Sequence, residues 1–445
     1  MLTALRILNV GPADSFDMRF KPGLNVLAGD NGLGKTFVLE AIWAVLTTKM
    51  GGVSGFRRQP GREATGAEIG ALFEHREGER AEFMPQATWS FDRPKQEWVR
   101  GWYLGRKTPG FKVREEKTNE ATWRPQSLVV YVKADGAVSM WDSFIARSRI
   151  ENFPHAATEL TAAEVWQGKW EVMDAQARRQ VCAGFIDDVG RWQGEKAPEF
   201  AAISAALAEL SEPGQPLSFD APARVRLDDR RDIPTLRLPY GTVPVTLASA
   251  GMRRVLGLAY ALVWAWREHK RVASVVESPP TRDIVLLVDE VEAHLHPLWQ
   301  RTVLPALRRV MNSLAPEAGV QMFASTHAPL VLASLESTFD PERDALFTFD
   351  LAKRGTPREV KVEQATWRRM GDASNWLTSE VFDLKSARSR EAEEALEAAY
   401  KALDNPNTTP DQARRIHHQL HDVLRDTDPF WARWLMLAER LGIEA

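Results

Sequence analysis

The chain has 445 residues, a formal net charge of −3, 44% hydrophobic and 26% charged residues, a balance that excludes an intrinsically disordered chain and a polycation. A single cysteine, Cys182, excludes a disulfide framework and any zinc site built on paired cysteines. No run approaches the roughly 20 apolar residues that span a bilayer, and the opening residues lack a charged-then-apolar signal pattern, so a cytoplasmic protein without a membrane segment is expected.

Residues 1–28 read as short strands (LTALRIL, DMRF, LNVLA) broken at Gly11-Pro12 and Pro22-Gly23. Helical spacing follows over 36–48, where Phe37, Ala41, Ala44 and Val45 share a face. Residues 50–135 carry glycine turns and mixed polar and aromatic runs such as ATWSF, EWVRGWYLG and SLVVYVKA, which predict a β-rich insertion. Residues 155–212 read as helices, closed by the Pro/Gly-rich SEPGQPLSFDAPA. Three short strands are expected over 223–247, then a long helix from Gly251 to about Lys270, the strand DIVLLVDE, a helix, and the strand VQMFAST. Such alternation predicts a mostly parallel sheet covered by helices. The tail, 385–441, is helical with breaks at Asn405-Pro406 and Asp428-Pro429.

Four motifs carry chemistry. GDNGLGKT, Gly29 to Thr36, fits the phosphate-binding loop G-x-x-x-x-G-K-[ST] and lies between an apolar strand and a helix, the context that motif requires. Its backbone N–H groups and the helix N-terminus suit a β-phosphate. Lys35 is placed to reach the β- and γ-phosphates and Thr36 to hold Mg²⁺. IVLLVDE, Ile284 to Glu290, is a buried strand delivering two acids at its C-terminal edge, Asp289 for the magnesium ion and Glu290 for the attacking water. ASTHAPL, Ala324 to Leu330, ends the next apolar strand with His327, which can donate to a γ-phosphate. LASAGMRR, Leu247 to Arg254, opens a helix with the Ser249 hydroxyl and a close backbone approach at Gly251; alone it reads as a simple serine cap.

Taken in order, these motifs resemble the ATPase head of ABC-type proteins. DEVEAHLHPLWQ, Asp289 to Gln300, and STHAPLV, Ser325 to Val331, resemble the paired signatures of the SMC/RecF/OLD-like branch, and the likeness covers roughly residues 1–50 and 223–340. It implies an α/β, P-loop NTPase head with a mostly parallel sheet, an inserted β-rich and helical lobe and a helical C-terminal tail. The implied division is 1–50 and 223–350 for the two halves of the head, 51–222 for the insertion and 351–445 for the tail. ATP and Mg²⁺ are the implied ligands. Gly29, Asn31, Gly32, Gly34, Lys35 and Thr36 would hold the nucleotide, Thr36 and Asp289 the ion, and Lys35, Glu290 and His327 would act in hydrolysis. Ser249 and Gly251 would meet ATP held by a second subunit, so a homodimer or higher homo-oligomer is implied. The glutamine that such heads place after the P-loop helix is not identified by pattern; Gln59, Gln86 and Gln96 are the candidates.

More narrowly, residues 228–245, 249–269 and 376–393 resemble the ATPase subunits of Septu-type antiphage systems, which implies control of a separate nuclease, HNH-type, in bacterial defence. Rival readings are a genome-maintenance ATPase of the RecF or SMC sort and a slow-turnover nucleotide-dependent scaffold. A nuclease within this chain is not expected, because only about 110 residues follow the histidine strand, too few for a Toprim domain. Asp426 and Asp428 read as a helix start, His417, His418 and His421 as a solvated face, and His294 and His296 as structural contacts at the dimer interface. From Trp89 to Arg114 seven cations (Arg93, Lys95, Arg100, Arg106, Lys107, Lys112, Arg114) interleave with aromatics, a pattern open to DNA or RNA contact as well as to ordinary inward packing.

Overall fold

The computed structural model describes residues 1–8, 11–13, 15–47, 68–73, 83–92, 97–106, 127–147, 157–173, 178–212, 214–351, 360–382 and 384–441. In chain order the first elements are β1 (Leu2–Leu8), β2 (Ser15–Arg19), β3 (Leu24–Gly29), α1 (Lys35–Thr47), β4 (Glu68–Phe73), β5 (Phe83–Asp92), β6 (Glu97–Arg106), β7 (Leu128–Val132) and β8 (Val138–Asp142). Next come α2 (Ser143–Arg147), β9 (Ala157–Leu160), α3 (Ala162–Gln167), β10 (Lys169–Val172), β11 (Arg178–Cys182), α4 (Phe185–Glu195) and α5 (Pro198–Leu210). The second half runs β12 (Ser218–Arg224), β13 (Asp232–Leu238), β14 (Gly241–Pro244), α6 (Ala250–Val275), β15 (Asp283–Val288), α7 (Pro297–Gln300), α8 (Val303–Leu314), β16 (Gly319–Thr326), α9 (Pro329–Ser334), β17 (Ala345–Leu351) and β18 (Val360–Ala365). Four helices close the chain: α10 (Ala373–Leu377), α11 (Arg390–Asp404), α12 (Pro410–Val423) and α13 (Phe430–Arg440).

The central sheet has eight strands in the order β18-β17-β3-β16-β15-β7-β8-β9. Its middle is parallel: β17, β3, β16, β15 and β7 pair in one direction. Residues in β3, β15 and β16 are buried almost without interruption. That is why their sequences are apolar runs rather than alternating ones, since both faces of a parallel sheet are covered. On one face α1 is buried nearly all round, and Trp43 packs against Tyr131 of β7 with ring centroids 6.2 Å apart. A second sheet, β2-β1-β4-β5-β6, is antiparallel.

Packing divides the chain into two compact units, Met1–Asp372 and Ala373–Ala445. The structure differs from the sequence-based reading in three places. β7, β8 and β9 fall in the stretch expected to be an insertion, yet they extend the central sheet beside β15. β18 falls in the expected tail but pairs with β17. Within the stretch read as helices, ATEL is β9 and RRQVC is β11, because edge pairing with β8 and β10 overrides the helical propensity of alanine-rich sequence.

Candidate active site

The C-terminal ends of β3, β15 and β16 converge on one polar cluster. The loop after β3 carries three glycines in the left-handed region, Gly29 (φ 135°), Gly32 (φ 77°) and Gly34 (φ 97°). A Cβ at Gly29 would lie 2.3 Å from the Phe349 carbonyl oxygen, so no side chain fits where the loop leaves the sheet. Lys35 is buried and its Nζ donates to the carbonyls of Gly29 and Asp30, both at 2.7 Å. Burial pulls its pKa below the usual lysine value, while the nearby carboxylates of Glu292, Asp30, Glu290 and Asp289 act the other way. Asn31 and Thr36 are exposed.

Thr36 Oγ1 donates to the Asp289 carboxylate, 3.0 Å from Oδ2 and 3.2 Å from Oδ1. Asp289 itself is buried, and Ser325 Oγ donates to its Oδ1 at 2.5 Å while accepting from the Glu290 backbone N–H at 2.8 Å. One hydroxyl on β16 therefore holds the Asp289 carboxylate and the Glu290 backbone just beyond β15. Glu290 sits at φ 44°, a left-handed conformation that costs a non-glycine residue about 1–2 kcal/mol. Its side chain is only part-buried, unlike that of Asp289. A hydroxyl and a carboxylate held within hydrogen-bond distance are hard oxygen donors of the kind Mg²⁺ takes, so this donor set fits that ion. His327 follows β16; its backbone N–H donates to Glu292 Oε1 at 2.7 Å, and its Nδ1 lies 3.2 Å from the same oxygen.

Ser249 takes no part in this hydrogen-bonded cluster. Ser249 is the exposed N-cap of α6, and its Oγ accepts from the Met252 N–H at 3.3 Å. Its hydrogen bond thus goes to its own helix and not to the P-loop. Gly251 is buried; a Cβ there would meet the His294 carbonyl oxygen and the Trp299 ring, each at 2.9 Å. Arg254 completes the link between α6 and the acid pair. Its guanidinium, buried and held below its usual pKa by desolvation, donates to the carbonyls of Lys133 (2.6 Å), Asp289 (3.0 Å) and Glu290 (3.5 Å).

Ser325, Glu292 and Arg254 lie within the motifs but have no role by pattern, since each acts through contacts with residues at least 35 positions away in sequence. Of the histidines near the acids, His294 takes φ 62° and is exposed, and His296 caps α7 through Nδ1. Asp428 accepts from the Phe430 N–H at 2.9 Å at the start of α13 and pairs with Arg388. The expected solvated face of histidines needs correction: His418 and His421 are exposed, but His417 is buried and accepts from Trp434 Nε1 at 3.1 Å. Among the described residues no group of three or more His, Cys, Asp or Glu could hold a metal ion. β5 and β6 cross the stretch 89–114, but its side chains lie outside the described residues, as do Gln59 and Gln96. Gln86 stands on β5 opposite Tyr103, in the second sheet.

A family model described as "AAA domain" matches residues 4–129, and one described as "AAA domain, putative AbiEii toxin, Type IV TA system" matches residues 221–333, the two stretches that carry the cluster. Both stretches that carry the cluster are thus similar to AAA domains. Among curated proteins the chain is 36% identical over 62 residues to the "Retron Vc95 probable ATPase" of Vibrio cholerae serotype O1 biovar El Tor, covering 14% of this chain and 11% of that protein. It is 28% identical over 141 residues to the "Septu protein PtuA" of Bacillus mycoides (strain KBAB4), covering 32% of this chain and 18% of that protein. The matches therefore span less than a fifth of either relative's length. Among solved structures, an SMC head bound to the C-winged helix domain of ScpA aligns with a TM-score of 0.40 at 15% identity, over 82% of this chain and 97% of that one. No helix among the described residues is long and apolar enough to cross a membrane.

Proposed function

We propose that this protein binds ATP with Mg²⁺ at the sheet edge, closes as a homodimer around two nucleotides, and uses hydrolysis to switch a separate nuclease effector in antiphage defence within the cytoplasm. The observation that carries the ATPase reading is the hydrogen-bonded set Thr36–Asp289–Ser325–Glu290, which sets an ion-binding pair and a second acid side by side beyond a P-loop. Lys35 and the loop N–H groups bind and orient the triphosphate. Thr36 and Asp289 hold Mg²⁺, which when bound neutralises charge on the phosphate oxygens. The Glu290 carboxylate, reaching out from a left-handed backbone, takes a proton from the attacking water; the His327 ring donates toward the γ-phosphate. Ser249, exposed at a helix N-terminus, is free to cap a phosphate from another copy.

The defence reading is supported by the likeness to a Septu protein and a retron ATPase. Two measurements test the proposal. Light scattering with and without ATP·Mg²⁺ should show a nucleotide-dependent rise in mass, and a mass unaffected by nucleotide refutes the closing dimer. Cells carrying the gene within its native flanking DNA should resist phage plating and lose resistance with Lys35→Ala; equal plating on both refutes the defence role.

A further inference from the structure

β7 pairs in parallel with β15, with Val132 opposite Val288. The next residue on each strand is therefore level: Lys133 stands beside Asp289, one strand away. Register fixes the face as well. Tyr131, two residues before Lys133, packs on Trp43 of α1, and Thr36 at the start of α1 donates to Asp289. Side chains two apart on a strand share a face, so Lys133 and Asp289 both project on the side of the P-loop helix. Lys133 Nζ lies 5.8 Å from the Tyr131 ring centroid, on that side.

The backbone of Lys133 is pinned. Its carbonyl accepts from Arg254 at 2.6 Å and from the Gly136 N–H at 3.0 Å, and its N–H donates to the Ala137 carbonyl at 2.9 Å. A turn this firmly tied sets the origin of the lysine stem, while the ammonium is in no ion pair among the described residues. A part-buried ammonium without a carboxylate, level with an ion-binding acid, is matched to an anion brought to that edge.

We infer that Lys133 is a second phosphate-contacting lysine, directed at the terminal phosphate of the nucleotide from the side of β7, opposite Lys35. This rests on the reading of the edge as an ATP-hydrolysing site. A group that meets the terminal phosphate acts on ATP and not on ADP, and a positioned cation there stabilises the charge that builds up during phosphoryl transfer.

The test compares wild type, Lys133→Ala, Lys133→Arg and Glu290→Gln in the full chain, measuring phosphate release and the affinities for ADP and a non-hydrolysable ATP analogue. Lys133→Ala should lower turnover by on the order of 100-fold, weaken the ATP analogue and leave ADP affinity unchanged, with Lys133→Arg restoring most of the loss. A Lys133→Ala protein with wild-type turnover and wild-type preference for the ATP analogue over ADP, while Glu290→Gln is inactive, overturns the lysine assignment alone. Wild type that binds neither nucleotide overturns the site reading and the assignment together.

Discussion

The sheet edge of the first unit and the helical unit Ala373–Ala445 handle polar groups in opposite ways. At the edge, Lys35, Asp289, Glu292, Arg254 and Ser325 are buried, and Glu290 and His294 hold left-handed backbone. Each of these is unfavourable alone, and together they persist because hydrogen bonds from three strands and α6 over-determine them. In the helical unit the core is apolar, built from residues such as Leu396, Ala399, Leu420, Phe430 and Trp434. Its polar groups sit at helix starts, where Ser389 caps α11 and Thr409 forms a capping box with Gln412, or in exposed pairs such as Arg390–Glu394. Substitutions should therefore register in chemistry at the edge and in stability in the helical unit.

The largest effect is expected from Lys35→Ala, which removes the one ammonium set within the P-loop. Nucleotide affinity should fall by about 3 kcal/mol or more, the worth of a charged hydrogen bond to phosphate, roughly 100-fold in Kd; titration with a labelled ATP analogue checks it, and wild-type binding would refute the P-loop role. Glu290→Gln keeps the side-chain shape and removes the base. Binding should persist while turnover drops by about 100-fold or more, and unchanged turnover would move the base elsewhere. Ser249→Arg should abolish turnover yet spare binding, because a bulky cation at the start of α6 blocks closure without touching its own P-loop. Mixing it with Lys35→Ala should restore part of the activity, since one composite site then pairs an intact P-loop with an intact Ser249. No recovery on subunit exchange would argue against a shared site.

Arg254→Met is an edge substitution expected to register in both chemistry and stability, because the guanidinium ties α6 to the backbone that carries the acids. The change removes the guanidinium from the carbonyls of Lys133, Asp289 and Glu290; those of Lys133 and Glu290 keep the N–H groups of Gly136 and Ala293, and that of Asp289 loses its charged donor. A loss of about 1–3 kcal/mol in unfolding free energy is expected, together with a fall in turnover exceeding what the stability loss explains. Denaturant titration alongside turnover at low temperature separates the two, and a stability loss without a kinetic one would make Arg254 purely structural.

How much of this was legible in the sequence follows the same contrast. The P-loop, the Asp289–Glu290 pair and the strand ending in His327 could be read because each is one contiguous string whose chemistry depends on local spacing. The parallel middle of the sheet was legible for a like reason, as unbroken apolar runs mark strands buried on both faces. What failed was pairing over long range. Nothing in SLVVYVKA says that it runs beside DIVLLVDE, so β7 was assigned to an insertion and Lys133 went unnoticed. ATEL and RRQVC carry helix-forming residues, and only their neighbours make them strands. His417 was misjudged because its burial is set by Trp434, on a helix that begins after a break at Asp428-Pro429.

That last contact gives the smallest predicted effect, and it is a buried side-chain pair that departs from the pattern of the helical unit. Trp434 Nε1 donates to His417 Nδ1, so the histidine must be neutral and carry its proton on Nε2 for the bond to exist. Burial, and then the neighbouring His421 and His418, push its pKa below the ordinary histidine value. The sign follows: the unfolded chain takes up a proton more readily than the folded one, so stability from this group is complete above the unfolded pKa near 6.5 and declines as pH falls through that value toward the lower folded one. Trp434→Phe should cost about 1 kcal/mol at neutral pH, the worth of one hydrogen bond. His417→Asn retains an acceptor near the Nδ1 position and cannot titrate, so it should lose less stability than wild type between neutral pH and pH of about 5. Thermal unfolding of the full chain across that range is the measurement, with ATP turnover at neutral pH as the companion. Parallel pH profiles for wild type and His417→Asn would refute the titration, and loss of turnover in either variant would break the separation between chemistry at the edge and stability in the helices.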